Sequence, residues 1–141
     1  KTLDELSTLK LPIHLTEISS KSKDHQVRAD GLEILYRVCF SHPSVEAILV
    51  WGFWEKRHWL GADAALVDKD WNLTPAGERL ASMLLEEWRT REQTNTDSAG
   101  AAKFRGFFGK YEVAAKTRDG RTLTGSATLT PTERNAAVVV K

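Results

Sequence analysis

The sequence predicts an α/β fold followed by a small antiparallel β unit, and three observations carry that prediction. Helical and strand patterns alternate along residues 1–91, the order that produces parallel strands joined by crossover helices. Within them, "VEAILVWGF" (residues 45–53) is almost continuously apolar, as in parallel strands buried on both faces. Beyond the polar, small-residue stretch "TREQTNTDSAGAA" (residues 90–102) the hydrophobic period changes to two, the mark of half-buried strands.

Each element has a local reason. Leu3, Leu6 and Leu9 stand at helical spacing and predict the tail of a helix. Pro12 introduces a strand, "IHLTE", and the polar run "SSKSKDHQ" turns the chain. From Asp24 to Ser41, Val27, Leu32, Leu35, Tyr36 and Cys39 mark the apolar stripe of an amphipathic helix, which His42-Pro43 stops. The strand at residues 45–53 follows, then the loop "WEKRHWLGADAALVDKDWN". Thr74 is a natural N-cap with Pro75 at the first helical position, and that helix carries Leu80, Leu84 and Trp88 at successive i+4 steps. After the linker, "KFRGFFGKYEVAAKT", a turn at Asp119-Gly120, "TLTGSATLT", the turn "PTERN" and "AAVVVK" describe antiparallel strands. The expected organisation is an α/β part over residues 1–91, a linker over 92–102 and a β extension over 103–141. Two strands alone fit a (β/α) barrel or an open α/β sheet equally.

Composition removes several function classes. A formal net charge of +1 over 141 residues argues against nucleic acid as a main partner, because phosphate binding rests on clustered Lys and Arg. No apolar stretch reaches the length of a membrane span. The lone Cys39 excludes an internal disulfide framework and a Cys-rich metal site, and its apolar helical setting reads as a buried, inert thiol. No metal or other cofactor is implied, since His58 has no partner His, Cys or Asp at ligand spacing. The chain begins with Lys1 rather than Met, so its biological start is expected upstream.

The chemistry-bearing residues gather at the strand ends. In parallel α/β folds ligands bind at the carboxyl ends of strands. Glu17 occupies that position on the first strand and Trp51 on the second, and Trp51, Trp54 and Trp59 fall within nine residues. Taken singly, Glu17 reads as a solvent-facing acid and the tryptophans as packing residues. Taken together, at equivalent ends of successive strands, they read as the rim of a site in which flat rings stack on sugar faces. Glu46 lies at the opposite end of the second strand from Glu17, whereas Glu55 and Asp63 lie in the Trp-rich loop.

"LPIHLTE", "HPSVEAILVWGFWEKRHW" and "ALVDKDWNLTPAGERLASMLLEEW", in that order and spacing, resemble the C-terminal segment of glycoside hydrolase family 10, the endo-β-1,4-xylanases, over roughly residues 3–91. "FRGFFGKYEV" looks like a short β extension found after the barrel in some plant and bacterial members. The resemblance implies the C-terminal portion of a (β/α)₈ TIM barrel, its last two strands with their helices, followed by the β unit. It implies Glu17 as catalytic nucleophile, Trp51 and Trp59 over one sugar subsite, Glu55 as an orienting acid, and Arg57 and His58 as hydroxyl contacts.

The implied activity is retaining hydrolysis of the xylan backbone, with xylan or xylo-oligosaccharide as partner and a secreted, extracellular location. The second carboxyl group of such an enzyme stands roughly 5–5.5 Å from the first. In the family it belongs to the fourth strand, outside this chain, and a full barrel takes ~250 residues. The chain is therefore expected to need the missing N-terminal barrel portion of the same protein, and to be inactive and marginally stable alone. The alternatives are a non-catalytic carbohydrate-binding fragment, with Phe104, Phe107, Phe108 and Tyr111 of the β extension as candidate stacking rings, or a related barrel hydrolase acting on another β-glycan.

Overall fold

A computed structural model describes residues 1–141, which divide into two compact units, Lys1–Glu87 and Trp88–Lys141. The expected linker, 92–102, falls inside the second unit.

In the first unit the order is α1 (Thr2–Ser7), β1 (Ile13–Ile18), α2 (His25–Ser41), β2 (Val45–Val50), two short 3₁₀ turns (Glu55–Arg57 and Ala62–Ala64), α3 (Pro75–Ser82) and one π turn (Met83–Glu87). β1 and β2 pair in parallel, with α2 as the crossover between them. Asp24 caps α2, its carboxylate accepting from the amides of Gln26 and Val27 at 2.9 and 3.1 Å, so two of the unpaired donors of the first turn are satisfied. Thr74 caps α3 by accepting from the Gly77 amide at 3.4 Å, and Pro75 opens the helix where a missing N–H is harmless.

The core lies between α2, α3 and the segment joining β2 to α3. It comprises Ala29, Leu32, Tyr36, Cys39, Ala64, Ala65, Ala76, Leu80 and Met83. Two expected stripe positions differ from this. Val27 is exposed, and the inward position beside it is taken by Arg28. On the last helix the expected i+4 run from Leu80 through Leu84 to Trp88 breaks after Ser82, because the π turn adds a residue to the local repeat. Met83 is thereby buried, and Leu84 is left about half exposed. A charged lattice ties the helices on their outer side: Arg37 bridges Glu33 and Glu87 at 2.8 and 2.5 Å, and Arg79 pairs with Glu33 and Asp30.

β2 ends at Val50 rather than continuing to Phe53; Val45, Ala47, Ile48 and Val50 are only half-buried and Leu49 is exposed. The reason is the sheet itself. With two strands, each has one unpaired edge, and Val27, Ile34, Val38 and Phe40 on α2 are also exposed, a larger apolar surface than a self-contained unit usually shows.

In the second unit β3 (Gly109–Lys116) and β4 (Thr122–Leu129) form an antiparallel hairpin in register from Gly109↔Leu129 to Lys116↔Thr122. Gly120, with φ 86°, supplies the left-handed residue of the turn, and Thr117 and Arg121 close it with a 2.9 Å bond. Residues 90–108 contain no helix or strand, so β3 starts later than the sequence pattern suggests. The final run is hydrogen-bonded to β4 through Lys141, which exchanges bonds of 3.0 and 3.1 Å with Thr124, and it passes close over Gly125, where an added Cβ would stand 2.6 Å from Val138 Cγ1. No residue of this unit is fully buried. Phe104 packs against Tyr111, 5.9 Å between centroids, with the Tyr111 hydroxyl donating to the Phe107 carbonyl at 2.5 Å.

Candidate functional site

Parallel pairing brings the carboxyl ends of β1 and β2 together. The Trp51 amide donates to the Ile18 carbonyl at 2.9 Å, and the Ser19 hydroxyl donates to the Trp51 carbonyl at 3.2 Å. Glu17 is exposed on β1 one residue before that junction. It sits in a register shift: Leu15 faces Ile48 and Ile18 faces Val50, so β1 spends three steps where β2 spends two. Such an irregularity turns a side chain out of the regular alternation. Trp51 is 53% exposed and Trp59 70%, so both rings are open to ligand.

The loop after β2 is held by a framework of its own. Gly52 turns at φ 84°, and a Cβ there would meet the His58 ring at 3.3 Å, so the backbone passes against His58 where only glycine fits. The Phe53 carbonyl accepts from both Leu66 and Val67 amides at 2.9 Å, and Glu55 N donates to the Val67 carbonyl at 2.9 Å. The Glu55 carboxylate accepts from the Lys69 amide at 2.9 Å, which ties the two arms of the loop together.

His58 is buried. Its Nδ1 accepts from the Leu60 amide at 3.1 Å, while Nε2 has no hydrogen-bond partner. Burial, and then the nearby charge of Arg28, push the imidazole below its usual range. Arg57 is exposed. Arg28 itself is 1% exposed. Its Nη2 donates to Thr74 Oγ1 at 2.9 Å, whereas Nε and Nη1 are buried without partners. Thr74 Oγ1 donates in turn to the carbonyls of Ala65 and Leu66 at 2.9 and 3.2 Å, so Arg28 props the loop through the α3 cap.

Two features lie outside the sequence-predicted set. Arg28 is one, and nothing in a helical pattern announces an inward arginine. The other is the pair Trp54 and Trp71, stacked at 4.9 Å and 16°. The signal for it is "DKDWN": Asp68 accepts from the amides of Asp70 and Asn72, both at 2.8 Å, the short-range bonding that makes Asp a turn residue. A cavity of about 480 Å³ lined by Leu3, Leu15, Leu35, Val38 and Pro43 opens beside the start of β2, away from the Glu17 end. No group of three or more His, Cys, Asp or Glu side chains is arranged to hold a metal, and no helix is long and apolar enough to cross a membrane.

No protein-family model matches the chain. It is 53% identical over 111 residues to anti-sigma-I factor RsgI6 of Acetivibrio thermocellus, covering 79% of this chain and 14% of that protein. It is 35% identical over 126 residues to endo-1,4-beta-xylanase 2 of Arabidopsis thaliana (86% of this chain, 11% of that protein) and 37% identical over 116 residues to endo-1,4-beta-xylanase 1 of the same plant (82% and 12%). The chain thus spans 11–14% of the length of these relatives. In three dimensions it resembles xylanase 10B of Thermotoga petrophila RKU-1, solved in complex with xylobiose, with a TM-score of 0.52 and 26% identity over 60% of this chain and 30% of that one. Native xylanase 10B of Thermotoga maritima matches equally. The plant relatives and the structural neighbours agree on one assignment: the chain is a partial member of glycoside hydrolase family 10, the endo-β-1,4-xylanases.

Proposed function

We propose that the chain is the C-terminal part of a retaining endo-β-1,4-xylanase, the last two strands of a (β/α)₈ barrel with a β extension, acting on extracellular xylan. One observation carries the reading: the 2.9 Å bond from Trp51 N to Ile18 O, which joins the strand bearing Glu17 to Trp51, the residue that follows β2, at a common end. Glu17 is the nucleophile that attacks the anomeric carbon. Trp51 and Trp59 stack on the sugar held there, and their apolar faces exclude water from the reacting centre. Glu55 orients the loop through the Lys69 amide, and His58, buried with Nδ1 engaged, supports the Gly52 turn rather than touching hydroxyls. Arg57, exposed beside it, is the remaining hydroxyl contact.

The acid/base carboxyl group belongs to the N-terminal barrel portion, which completes the site and covers the open edges of β1 and β2. In the full-length enzyme Glu17→Ala abolishes turnover of xylan while xylotriose binding persists. Unchanged turnover removes Glu17 from the nucleophile role. A second reading is favoured by the 53% identity to a protein named as an anti-sigma-I factor: the same rim binds a β-glycan without cleaving it. Full-length protein that binds xylan with no turnover at all selects that reading.

A further inference from the structure

We propose that Trp71, presented on the stacked Trp54, forms a second carbohydrate platform that holds a polysaccharide strand extending beyond the Trp51 subsite; this rests on the sugar-binding reading of that subsite. Four observations converge. Trp71 is 63% exposed although one of its faces is covered by Trp54, so the other face is open. Phe53, 53% exposed, lies at 6.4 Å and 52° from it, which widens the aromatic surface. The Trp71 backbone has φ 69°, a conformation uncommon for a bulky residue and one that concentrates at ligand-holding positions. The turn that imposes it is fastened twice, by Asp68 on the Asn72 amide at 2.8 Å and by Glu55 on the Lys69 amide at 2.9 Å.

The ligand class follows from the surroundings. Charge around the rings is mixed, with Glu55, Asp68 and Asp70 against Lys56 and Lys69, and Lys69 is already paired with Asp70. That balance offers no cationic field for phosphate or an anionic lipid surface. A neutral pyranose chain fits: its apolar ring face stacks on an indole, and its hydroxyls meet the Lys69–Asp70 pair and Asn72. Phe53 and Trp54 follow Trp51 with only the Gly52 turn between them, so the same backbone segment carries both aromatic surfaces.

The test is affinity electrophoresis of the full-length protein in gels containing soluble arabinoxylan, alongside xylobiose titration by tryptophan fluorescence. Trp71→Asn removes the ring but suits the left-handed backbone, and circular dichroism verifies its fold. The expected result is a polymer affinity lowered about two- to tenfold, the span of one aromatic stacking contact, with a fall in the ratio of polymer to xylobiose affinity. Wild-type polymer affinity in folded Trp71→Asn overturns the platform. Trp51→Ala separates the two ideas: if it leaves xylobiose affinity unchanged, the subsite reading fails, whereas a loss there with intact polymer affinity in Trp71→Asn sinks the platform alone.

Discussion

Gly77→Ala sets helix propensity against packing, and the two give opposite signs. Gly77 occupies the first turn of α3, where alanine should stabilise by up to about 1 kcal/mol if propensity were all that mattered. A Cβ at that position would stand 2.2 Å from the Leu66 carbonyl oxygen and 3.2 Å from Leu73 Cδ2. The carbonyl cannot retreat freely, because it accepts from the Thr74 amide at 2.9 Å and from Thr74 Oγ1 at 3.2 Å. Relieving the clash therefore moves α3 away from the loop and lengthens those bonds. Overpacking of this kind costs about 1–3 kcal/mol, and each weakened hydrogen bond adds about 1 kcal/mol. The net expectation, after subtracting the propensity gain, is a destabilisation of about 2–4 kcal/mol, read as a lower urea midpoint at unchanged slope. Gly31→Ala in α2 is the control: a Cβ there meets nothing within 4 Å, and the variant should gain roughly 0.5–1 kcal/mol. An alanine at 77 as stable as wild type refutes the packing account.

His58 makes stability pH-dependent in a known direction. Its folded pKa lies below the unfolded value of 6.5, so its contribution is complete above that pH and is lost as pH falls through and below it. His58→Gln should flatten this part of the urea-midpoint profile, and an unchanged slope between neutral and mildly acidic pH contradicts the assignment. Cys39, 1% exposed and with its thiol pushed up by burial, should resist alkylation at pH 8 and react once urea unfolds the unit. Fast labelling of native protein counts against it. Glu17→Ala and Trp71→Asn test the two sugar-binding readings through turnover and polymer affinity.

Local elements were legible where short-range chemistry decides them. Thr74 announced the start of α3 because a capping side chain bonds an amide only three residues away, and the same short-range bonding by Asp24 fixes the start of α2 where the pattern placed it. Gly120 announced its turn because a left-handed residue is a single-residue requirement. The Trp71 turn was equally local, built on Asp68, yet its ring partner Trp54 is seventeen positions away and no periodicity links them. His58 looked like a loop residue free to touch ligand. Its burial, the close passage of Gly52 and the nearby charge of Arg28 arise only after α2 and the loop have packed.

By itself the sequence determined the alternation of strands and helices, the placement of Glu17 and Trp51 at strand ends, and the family they belong to. All of these are written in neighbouring residues and their spacing. Tertiary packing alone decided that β1 and β2 meet at the Ile18–Trp51 junction, that an arginine turns inward to brace the α3 cap, and that Trp71 is held over Trp54. The physical reason is range. Propensity and capping act over a few residues, whereas burial, stacking and the desolvation of a charge depend on segments that come together only when the chain closes on itself.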